Sequence, residues 1–589
     1  MRLVAAIVSF VIAFGLIALG IAQRTVFAEP DNVTASVALT GRATVTFLDN
    51  KTLRSLDGRQ TVDISGADKV FAGYGRTEDV LAWIGKASYN DIRFVKGDNT
   101  LASKLVKGDE TRVPDPRGSD LWLGEYSRAK SLDFTVNVPS DISMIIVSDG
   151  TKPAPDHLSI RWPLDNRTPW AGPLVVAGGI LLLIGLGLYF WALAHLRRSR
   201  GPRRKTPKMP KVPRQRSYRP HKQKVTVSGR RSSRRRMIAV VPVVLIGTLG
   251  ISGCSADLWP QFGSDGAASA VPKASATVPV TAGQSPPAVT LPQLKRIVAR
   301  ISEVATKADA DKNADLAKTR FVDAALDLRT ATYAIRTADS SYAPASTLAA
   351  APAIPSGDIV LTLPQQTKTW PRTVFTVVQK PGDKTVPPVA LMLVQDAPRD
   401  NFKVAYATAL EASAKLPDVA PASVGASRLL PDVKLFQLAP SKVAMAYGDI
   451  LANGTASPYF KEFDTTKDTL ITRIGQDARK KQQADLPTAS MTFANSDGPA
   501  DSIALGSSDS GAIVTVYLNE TVTVKPNEAG ASVNPEGAVK SLSGISGSTK
   551  GTEAVYGDQL LFYLPPVSST NKIVLLGFAT GLVSAKELP

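Results

Sequence analysis

Two carboxylates and an arginine lie close together in one short stretch of the sequence. Asp396, Arg399 and Asp400 fall in the run DAPRDN, between two apolar stretches that predict strands. Paired carboxylates can supply the acid and the base of glycoside hydrolysis, and such a loop can also bind sugar hydroxyls. A Pro/Asp/Asn turn with surface ion pairs has the same composition. We take these three residues as weak candidates for a glycan-binding loop and assign no catalytic residue.

Histidine and cysteine, on which most zinc and nucleophilic sites depend, are scarce. The chain has one cysteine, Cys254, and three histidines, His157, His195 and His221. The C-terminal portion therefore lacks the ligands of the usual zinc sites and the base of the Ser-His-Asp and Cys-His devices. A single cysteine also excludes an intramolecular disulfide. These counts predict no metal site and no cofactor.

One acidic run has the spacing of a metal loop. Asp309, Asp311 and Asn313 resemble the first half of a calcium loop, D-x-D-x-N. Ala314 stands where that loop needs glycine, and Arg320 stands where it needs a bidentate acid. The run therefore predicts a solvated turn between two helices.

The net positive charge of the chain is confined to one segment. Residues 197–236 contain 18 Lys and Arg and no acid, which equals the net charge of +18 of the whole chain. Because Lys and Arg stay on the cytoplasmic side of membrane spans, the segment predicts a cytoplasmic loop, and its five prolines predict disorder. Anionic headgroups are the predicted partner, and nucleic acid is disfavoured because Tyr218 is the only aromatic residue in the segment. The predicted lipid contacts are Arg230, Arg231, Arg234, Arg235 and Arg236.

Apolar runs on both sides of this segment predict the membrane spans. Residues 3–22 carry no charge and are long enough for a signal-anchor helix, with a cleaved signal peptide as the alternative. Residues 173–194 predict a second span, with Trp170 at its outer interface and residues 189–191 at its inner one. The folded regions before and after the basic segment are thus expected outside the cytoplasm.

The third apolar run ends at the only cysteine. Residues 234–236 (RRR), the apolar residues that follow and residues 251–254 (ISGC) resemble a bacterial lipoprotein signal. The resemblance implies cleavage before Cys254 and acylation of its thiol. In this chain the signal is internal, and Ile251 replaces the commoner leucine. Without cleavage the same run is a third transmembrane helix, and both outcomes place the C-terminal portion outside.

The two outer regions differ in pattern. Residues 25–169 alternate between short apolar runs that predict strands, including 121–123, and Gly, Asp and Asn turns. One helix is predicted at 77–84, with Thr77 as its N-cap. This predicts a β-rich, sandwich-like ectodomain. From residue 291 helical periodicity is followed by strands, and the order recurs after about 441. It predicts an α+β region of helices on antiparallel sheet, similar in architecture to cystatin-like and nuclear-transport-factor-2-like folds, as one unit or two.

The whole layout carries a wider resemblance. Together with residues 73–77 (GYGRT) and 370–373 (WPRT), it resembles uncharacterised actinobacterial membrane-anchored envelope proteins with an internal lipoprotein-type signal. The resemblance implies no activity. We expect a multi-pass protein of the bacterial cytoplasmic membrane whose outer regions bind envelope proteins or cell-wall polymer. The alternative is an enzyme or accessory subunit that acts on exported glycans through Asp or Glu.

The predicted multidomain membrane protein has eight parts. They are a signal-anchor (1–24), a β-rich extracytoplasmic domain (25–169), a transmembrane helix (170–196), a basic disordered cytoplasmic loop (197–236), a transmembrane helix or lipoprotein signal (237–254), an Ala/Pro/Ser-rich tether (255–289), and the two halves of the α+β region (290–440 and 441–589).

Overall fold

The structure, a computed structural model, describes residues 2–27, 30–39, 43–164, 170–198, 285–342, 351–383 and 385–589. The chain divides into two compact units, Met1–Val33 with Trp162–Val271 and Thr34–Arg161 with Pro272–Pro589. The predicted basic loop beyond residue 198, Cys254 and the tether up to residue 284 lie outside the described residues. So do the predicted lipid contacts Arg230, Arg231, Arg234, Arg235 and Arg236.

Helices occur at both predicted spans and in three further parts of the chain. They are α1 (Arg2–Thr25), α2 (Asn50–Leu53), α3 (Thr77–Ile84), α4 (Ala171–Arg198), α5 (Leu291–Asp311), α6 (Ala314–Lys318), α7 (Asp323–Ala338), α8 (Val443–Asn453), α9 (Thr469–Ile474), α10 (Gln476–Ala484) and α11 (Gly537–Ser543).

The strands of the described residues form two sheets. The first contains β1 (Asn32–Ala38), β2 (Val45–Leu48), β3 (Gln60–Arg76), β4 (Tyr89–Val95), β5 (Thr100–Val106), β6 (Gly124–Val136), β7 (Ile142–Val147) and β8 (His157–Pro163). The second contains β9 (Asp358–Pro364), β10 (Arg372–Gln379), β11 (Val389–Gln395), β12 (Lys403–Leu410), β13 (Arg428–Leu429), β14 (Ala489–Asp497), β15 (Ile503–Gly506), β16 (Ala512–Pro526), β17 (Thr552–Leu564) and β18 (Val574–Glu587).

The described residues of the first unit form mainly a pair of apolar helices. Residues Leu3–Thr25 of α1 and Ala171–Arg197 of α4 are each long and apolar enough to cross a membrane. The helices pack antiparallel along small residues spaced seven apart, which let the backbones approach closely. A Cβ on Gly178 would lie 2.9 Å from the carbonyl oxygen of Ala13. These buried residues are Ala6, Ala13 and Gly20 on α1 and Ala171, Gly178, Gly185 and Ala192 on α4.

The region between these helices is β-rich, as predicted. Its eight-stranded sheet has the order β1-β8-β3-β7-β2-β4-β5, with β6 paired to β3, and we call it the β-domain. The core lies between the sheet and α3, where Trp83 and Trp122 are buried with ring centroids 5.5 Å apart. Gly85 follows the last residue of α3 as its C-cap, and its φ of +59° is a conformation that suits glycine.

Two local predictions in the β-domain were wrong. Thr77 is the first residue of α3 and not its N-cap, which is Arg76. Residues 121–123 are not a strand but a buried loop before β6. Side chains of α5 donate hydrogen bonds to the backbone carbonyls of this loop, so it needs no neighbouring strand.

The C-terminal region, residues 285–589, is built on one ten-stranded antiparallel sheet. Its order is β13-β15-β16-β17-β18-β12-β11-β10-β9, with β14 paired to β16. The strands of the first half, β9–β12, join those of the second half where β12 meets β18 at Ala409↔Phe578 and Leu410↔Gly577. Glycine is required at this contact because a Cβ on Gly577 would lie 2.5 Å from the carbonyl oxygen of Ala409.

Each half of the sheet has helices on one face. Helices α5 and α7 pack on β10–β12 in the first half, and α8 packs on β16 and β17 in the second. The opposite faces of the two halves share a third core, which includes Phe375 and Met392 from the first half and Tyr517 and Leu561 from the second. The sheet therefore curves so that the halves bury apolar surface against each other.

Candidate functional site

The β-domain and the C-terminal region meet at buried ion pairs. Asp79, in the first turn of α3, accepts from Arg76 Nε at 2.8 Å and from Arg372 Nη2 at 2.5 Å. The positive end of α3 adds to this attraction. Burial opposes ionisation of Asp79, but the two guanidinium groups outweigh it, so the pKa of Asp79 lies below its ordinary value. Arg372 also stacks over Trp370, with its guanidinium carbon 3.8 Å from the ring centroid.

A second carboxylate of the β-domain is still more enclosed. Asp120, whose side chain is 0% exposed, forms an ion pair with Arg320 and accepts from the Phe402 backbone N–H at 3.0 Å. Arg300 Nη1 lies 3.4 Å from its other oxygen. The backbone N–H of Asp120 donates to Asn401 Oδ1 at 2.9 Å. The C-terminal region thus surrounds this carboxylate with donors, which buried charges require.

The three loop residues suggested for glycan binding do not form one site, because Arg399 lies at the domain junction and Asp396 lies near α7. Arg399 belongs to the domain junction: its Nε and Nη2 donate to the carbonyls of Trp83 and Ile84 at 2.8 Å, and its Nη1 to Glu110 at 2.8 Å. These carbonyls are the last of α3 and have no partner within the helix. Asp400 closes the turn, where its carbonyl accepts from the Gln395 side chain at 2.7 Å.

Helix α5 completes the junction through backbone contacts. Gln293 Nε2 donates to the carbonyls of Asp120 and Leu121 at 2.6 and 3.0 Å, and Arg296 Nη2 donates to those of Trp122 and Leu123 at 2.8 and 2.9 Å. Only about 10 Å³ of space remains between the two sides here, enough for a single water molecule. The junction therefore holds two domains together and has no room for a substrate.

Asp396, the third residue of that loop, lies close enough to Asp323 of α7 to repel its charge. An open cleft of about 420 Å³ is bordered by α7 on one side and by β16–β18 on the other. Its polar lining can hydrogen-bond a hydroxylated ligand, while its apolar side chains can contact a sugar ring. Its lining residues include Asp327, Thr330, Tyr517, Asn519, Val583 and Ser584.

Two carboxyl groups on α7, Asp323 and Asp327, have raised pKa values. Burial, with repulsion from Asp396, Asp327 and Asp501, raises the pKa of Asp323 above its ordinary value. Burial also raises the pKa of Asp327, opposed by a hydrogen bond from Tyr517. A raised pKa shifts a carboxyl group toward the role of a general acid. Asp323 and Asp327 were missed in the sequence, where their i,i+4 spacing was the one available signal.

A second group of titratable side chains lies inside the second half. Tyr447 donates to Asp468 at 2.8 Å, and Arg479 pairs with Glu520 at 2.7 Å. Burial raises the pKa of Asp468 to about 6, and burial with the charge of Glu520 raises the pKa of Asp558 to about 8. These side chains are enclosed between helices and sheet, so we assign them to the core.

Among the described residues, no group of three or more His, Cys, Asp or Glu side chains could hold a metal ion. In the calcium-like run, both carboxylate oxygens of Asp309 accept from Arg329 Nη1, at 2.6 and 2.8 Å, and one also accepts from the Tyr333 hydroxyl at 2.5 Å. Asn313 caps α6 by accepting from the Leu316 backbone N–H. These side chains serve the packing of α5, α6 and α7.

Comparison with known families gives one match. The family model described as "Domain of unknown function (DUF8094)" matches residues 285–587. The chain belongs to this family. The match spans α5 to β18, so the DUF8094 domain comprises both halves of the ten-stranded sheet. No curated protein and no solved structure matches the chain.

The cations of the junction all come from the DUF8094 domain, apart from Arg76 of the β-domain. The Arg76 side chain contacts the DUF8094 domain by donating from Nη1 to the backbone carbonyl of Pro287 at 2.8 Å. The GYGRT and WPRT stretches, far apart in the sequence, thus meet at Asp79. The DUF8094 cations are Arg296, Arg300, Arg320, Lys368, Arg372 and Arg399.

Proposed function

We propose that the chain is a multi-pass protein of the bacterial cytoplasmic membrane whose β-domain and DUF8094 domain act together outside the cytoplasm as a binding or assembly component of the envelope. The observation that carries this is the junction, which unites the two domains in one compact unit. The ligand in this proposal is another envelope protein or a cell-wall polymer.

The topology follows from the order of the elements along the chain. If α1 and α4 both cross the membrane, the β-domain between them lies on one side and residue 198 on the other. The DUF8094 domain contacts the β-domain and must share its side. The chain would then cross once more between residues 198 and 285. Residues 237–253 are the apolar run in that interval, which supports a third span or an exported lipoprotein signal.

Charge supports the orientation. The 18 basic residues at 197–236 would lie in the cytoplasm under the positive-inside rule, where the five arginines from Arg230 to Arg236 would contact anionic headgroups. The signal-anchor role of α1, acylation of Cys254 and the likeness to actinobacterial envelope proteins belong to the same proposal. The helices on one face of each half-sheet favour an architecture similar to the cystatin-like and nuclear-transport-factor-2-like folds.

The binding site in this proposal is the cleft beside α7. Ser584 is exposed and lines it, so Ser584→Trp would fill the cleft without disturbing the core. Thr570→Trp, at an exposed loop position elsewhere, is the matched control. In one experiment, purified full-length protein is incubated with isolated cell walls. In a second, the protein is crosslinked to its neighbours in cells that express it. We expect Ser584→Trp to lose retention or crosslinks that Thr570→Trp keeps. Equal retention by wild type and both variants, or none by any of them, would count against the proposal.

An enzyme or accessory subunit for exported glycans is the second candidate. The raised pKa of Asp327, which lines the 420 Å³ cleft, and of Asp323 on the same helix favours it, because the general acid of glycosyl chemistry has a raised pKa. Changing Asp327→Asn should then abolish turnover of isolated wall polymer while binding to the polymer persists. The exposed Asp485→Asn is the control. Absence of turnover by the wild-type protein would remove this candidate.

A further inference from the structure

The charges at the junction divide by sign between its two sides. In every ion pair that crosses the junction, the DUF8094 domain supplies the cation and the β-domain supplies the carboxylate; Arg76 of the β-domain pairs with Asp79 on its own side. Such complementarity is typical of surfaces at which separate proteins recognise each other. The pairs are Arg372 with Asp79, Arg320 with Asp120, Arg300 with Asp120 and Glu125, Arg399 with Glu110, and Lys368 with Glu78.

Each side of the junction is folded around its own core. The β-domain buries Phe71 and Trp122 in one core with Trp83 of α3, while the DUF8094 domain has four apolar cores among its described residues. One aromatic side chain, Trp370, extends from the DUF8094 domain to the edge of the β-domain core. Polar contacts between two independently cored domains are the usual composition of an association interface.

The covalent connection between the two sides is long. The chain leaves the β-domain at β8 and reaches α5 only after α4 and residues 199–284. A long connection adds little effective concentration, so the direct contacts must supply most of the free energy that keeps the domains together.

We propose that the DUF8094 domain is a docking domain whose partner is the acidic face of the β-domain, and that the two remain bound as a non-covalent complex when the chain is cut between them. The contact itself is independent of membrane topology. The proposal rests on the proposed function only for one consequence: cleavage before Cys254 would leave a lipoprotein attached to the membrane-anchored β-domain.

The test uses the full-length chain with a site for a specific protease inserted in the tether near residue 270 and with Cys254→Ser, which removes the lipid anchor. An affinity tag at the N-terminus holds the protein on resin in detergent, and the protease then cuts the tether. We expect the DUF8094 fragment to stay on the resin through extended washing. Release of most of the wild-type fragment at the first wash would overturn the proposal. Because the assay is done in detergent, a failure of the proposed topology would not affect it.

Charge variants test which contacts hold the complex. Arg300→Ala with Arg399→Ala removes two half-exposed cations of the junction and leaves the domain cores intact. Lys415→Ala with Lys461→Ala removes two exposed cations elsewhere on the same domain. We expect the junction variant to dissociate at least about tenfold faster than the control, and faster still in high salt. Equal release by the two variants would overturn the assignment of these cations to docking.

Discussion

Arg372 of the DUF8094 domain donates a hydrogen bond to Asp79 of the β-domain at 2.5 Å, across 293 positions of the sequence. Both side chains are almost fully buried, and Arg76 binds the other oxygen of the same carboxylate. A buried guanidinium needs its carboxylate partner, since leaving its charge uncompensated would cost several kcal/mol. The two domains are therefore coupled in stability as well as in position.

Removing the charge of Asp79 should weaken this coupling. We expect Asp79→Asn to lower the free energy of unfolding by about 3 kcal/mol, because Arg372 would stay buried without its counter-charge. Asp68→Asn, which breaks an exposed pair with Lys152, is the control and should cost less than about 1 kcal/mol. Thermal unfolding of the detergent-solubilised chain measures both. Similar midpoints for the two variants would contradict a stabilising role for this pair.

The same pair gives a pH dependence. The pKa of Asp79 is lowered in the folded protein, so the unfolded state binds its proton more readily. The contribution of the pair to stability is present above about pH 4 and is lost as the pH falls through the folded pKa. Asp79→Asn should remove that part of the acid sensitivity. An identical loss of stability in wild type and variant below pH 4 would exclude Asp79 as a source.

The titration of Asp558 should change stability with pH in the opposite direction. Burial and the charge of Glu520 raise its pKa to about 8, so the native state holds a proton that the unfolded state releases. Stability should therefore fall as the pH rises from about 4 to about 8. Asp558→Asn should remove about 2–3 kcal/mol of the decrease between pH 5 and pH 7. Unfolding midpoints at pH 5, 7 and 9 measure this, with the exposed Asp485→Asn as control. A wild-type profile that Asp558→Asn leaves unchanged would refute it.

The packing of α1 on α4 predicts a difference between adjacent glycines. A side chain at Gly178 would meet Ile17 and the carbonyl of Ala13, whereas a Cβ on Gly179 would have nothing within 4 Å. Gly178→Leu should thus destabilise the helix pair by about 1–3 kcal/mol, and Gly179→Leu should be tolerated. Thermal stability of the full chain in detergent compares them. Equal stability would contradict the antiparallel packing.

The acidic run at Asp309 should not bind calcium. Arg329 and Tyr333 already occupy the Asp309 carboxylate, and a ligand that binds the folded state would raise its unfolding midpoint. We expect excess Ca²⁺ to leave the midpoint unchanged from that in excess Mg²⁺. A selective rise with Ca²⁺ that Asp309→Asn abolishes would contradict this.

Much of the fold followed from local sequence patterns. The apolar runs at 3–22 and 173–194 lie within α1 and α4, and the predicted helix at 77–84 is α3. The helical periodicity that begins at residue 291 corresponds to α5, whose buried face includes Leu294, Ile297 and Ile301. These elements were accessible because length and periodicity depend on neighbours in the chain.

The junction was not accessible from the sequence. Arg399 resembled a surface turn because the carbonyls that it binds, at the end of α3, lie more than 300 positions away. Trp122 resembled part of a strand because an apolar triplet does not reveal that side chains of a distant helix satisfy its backbone. Asp323 and Asp396 showed no relation in the sequence, because only the folded chain brings their charges close together. Contacts between distant segments leave no local periodicity.

The central claim is that the β-domain and the DUF8094 domain share the outer side of the membrane. Single cysteines at the exposed positions Ser131→Cys and Ser568→Cys, each in a Cys254→Ser background, can be treated with a membrane-impermeant maleimide on intact spheroplasts. Ser217→Cys in the basic segment is the internal control. We predict that positions 131 and 568 are both labelled before lysis and that position 217 is labelled only after it. Labelling of only one of the two outer positions before lysis would contradict the account.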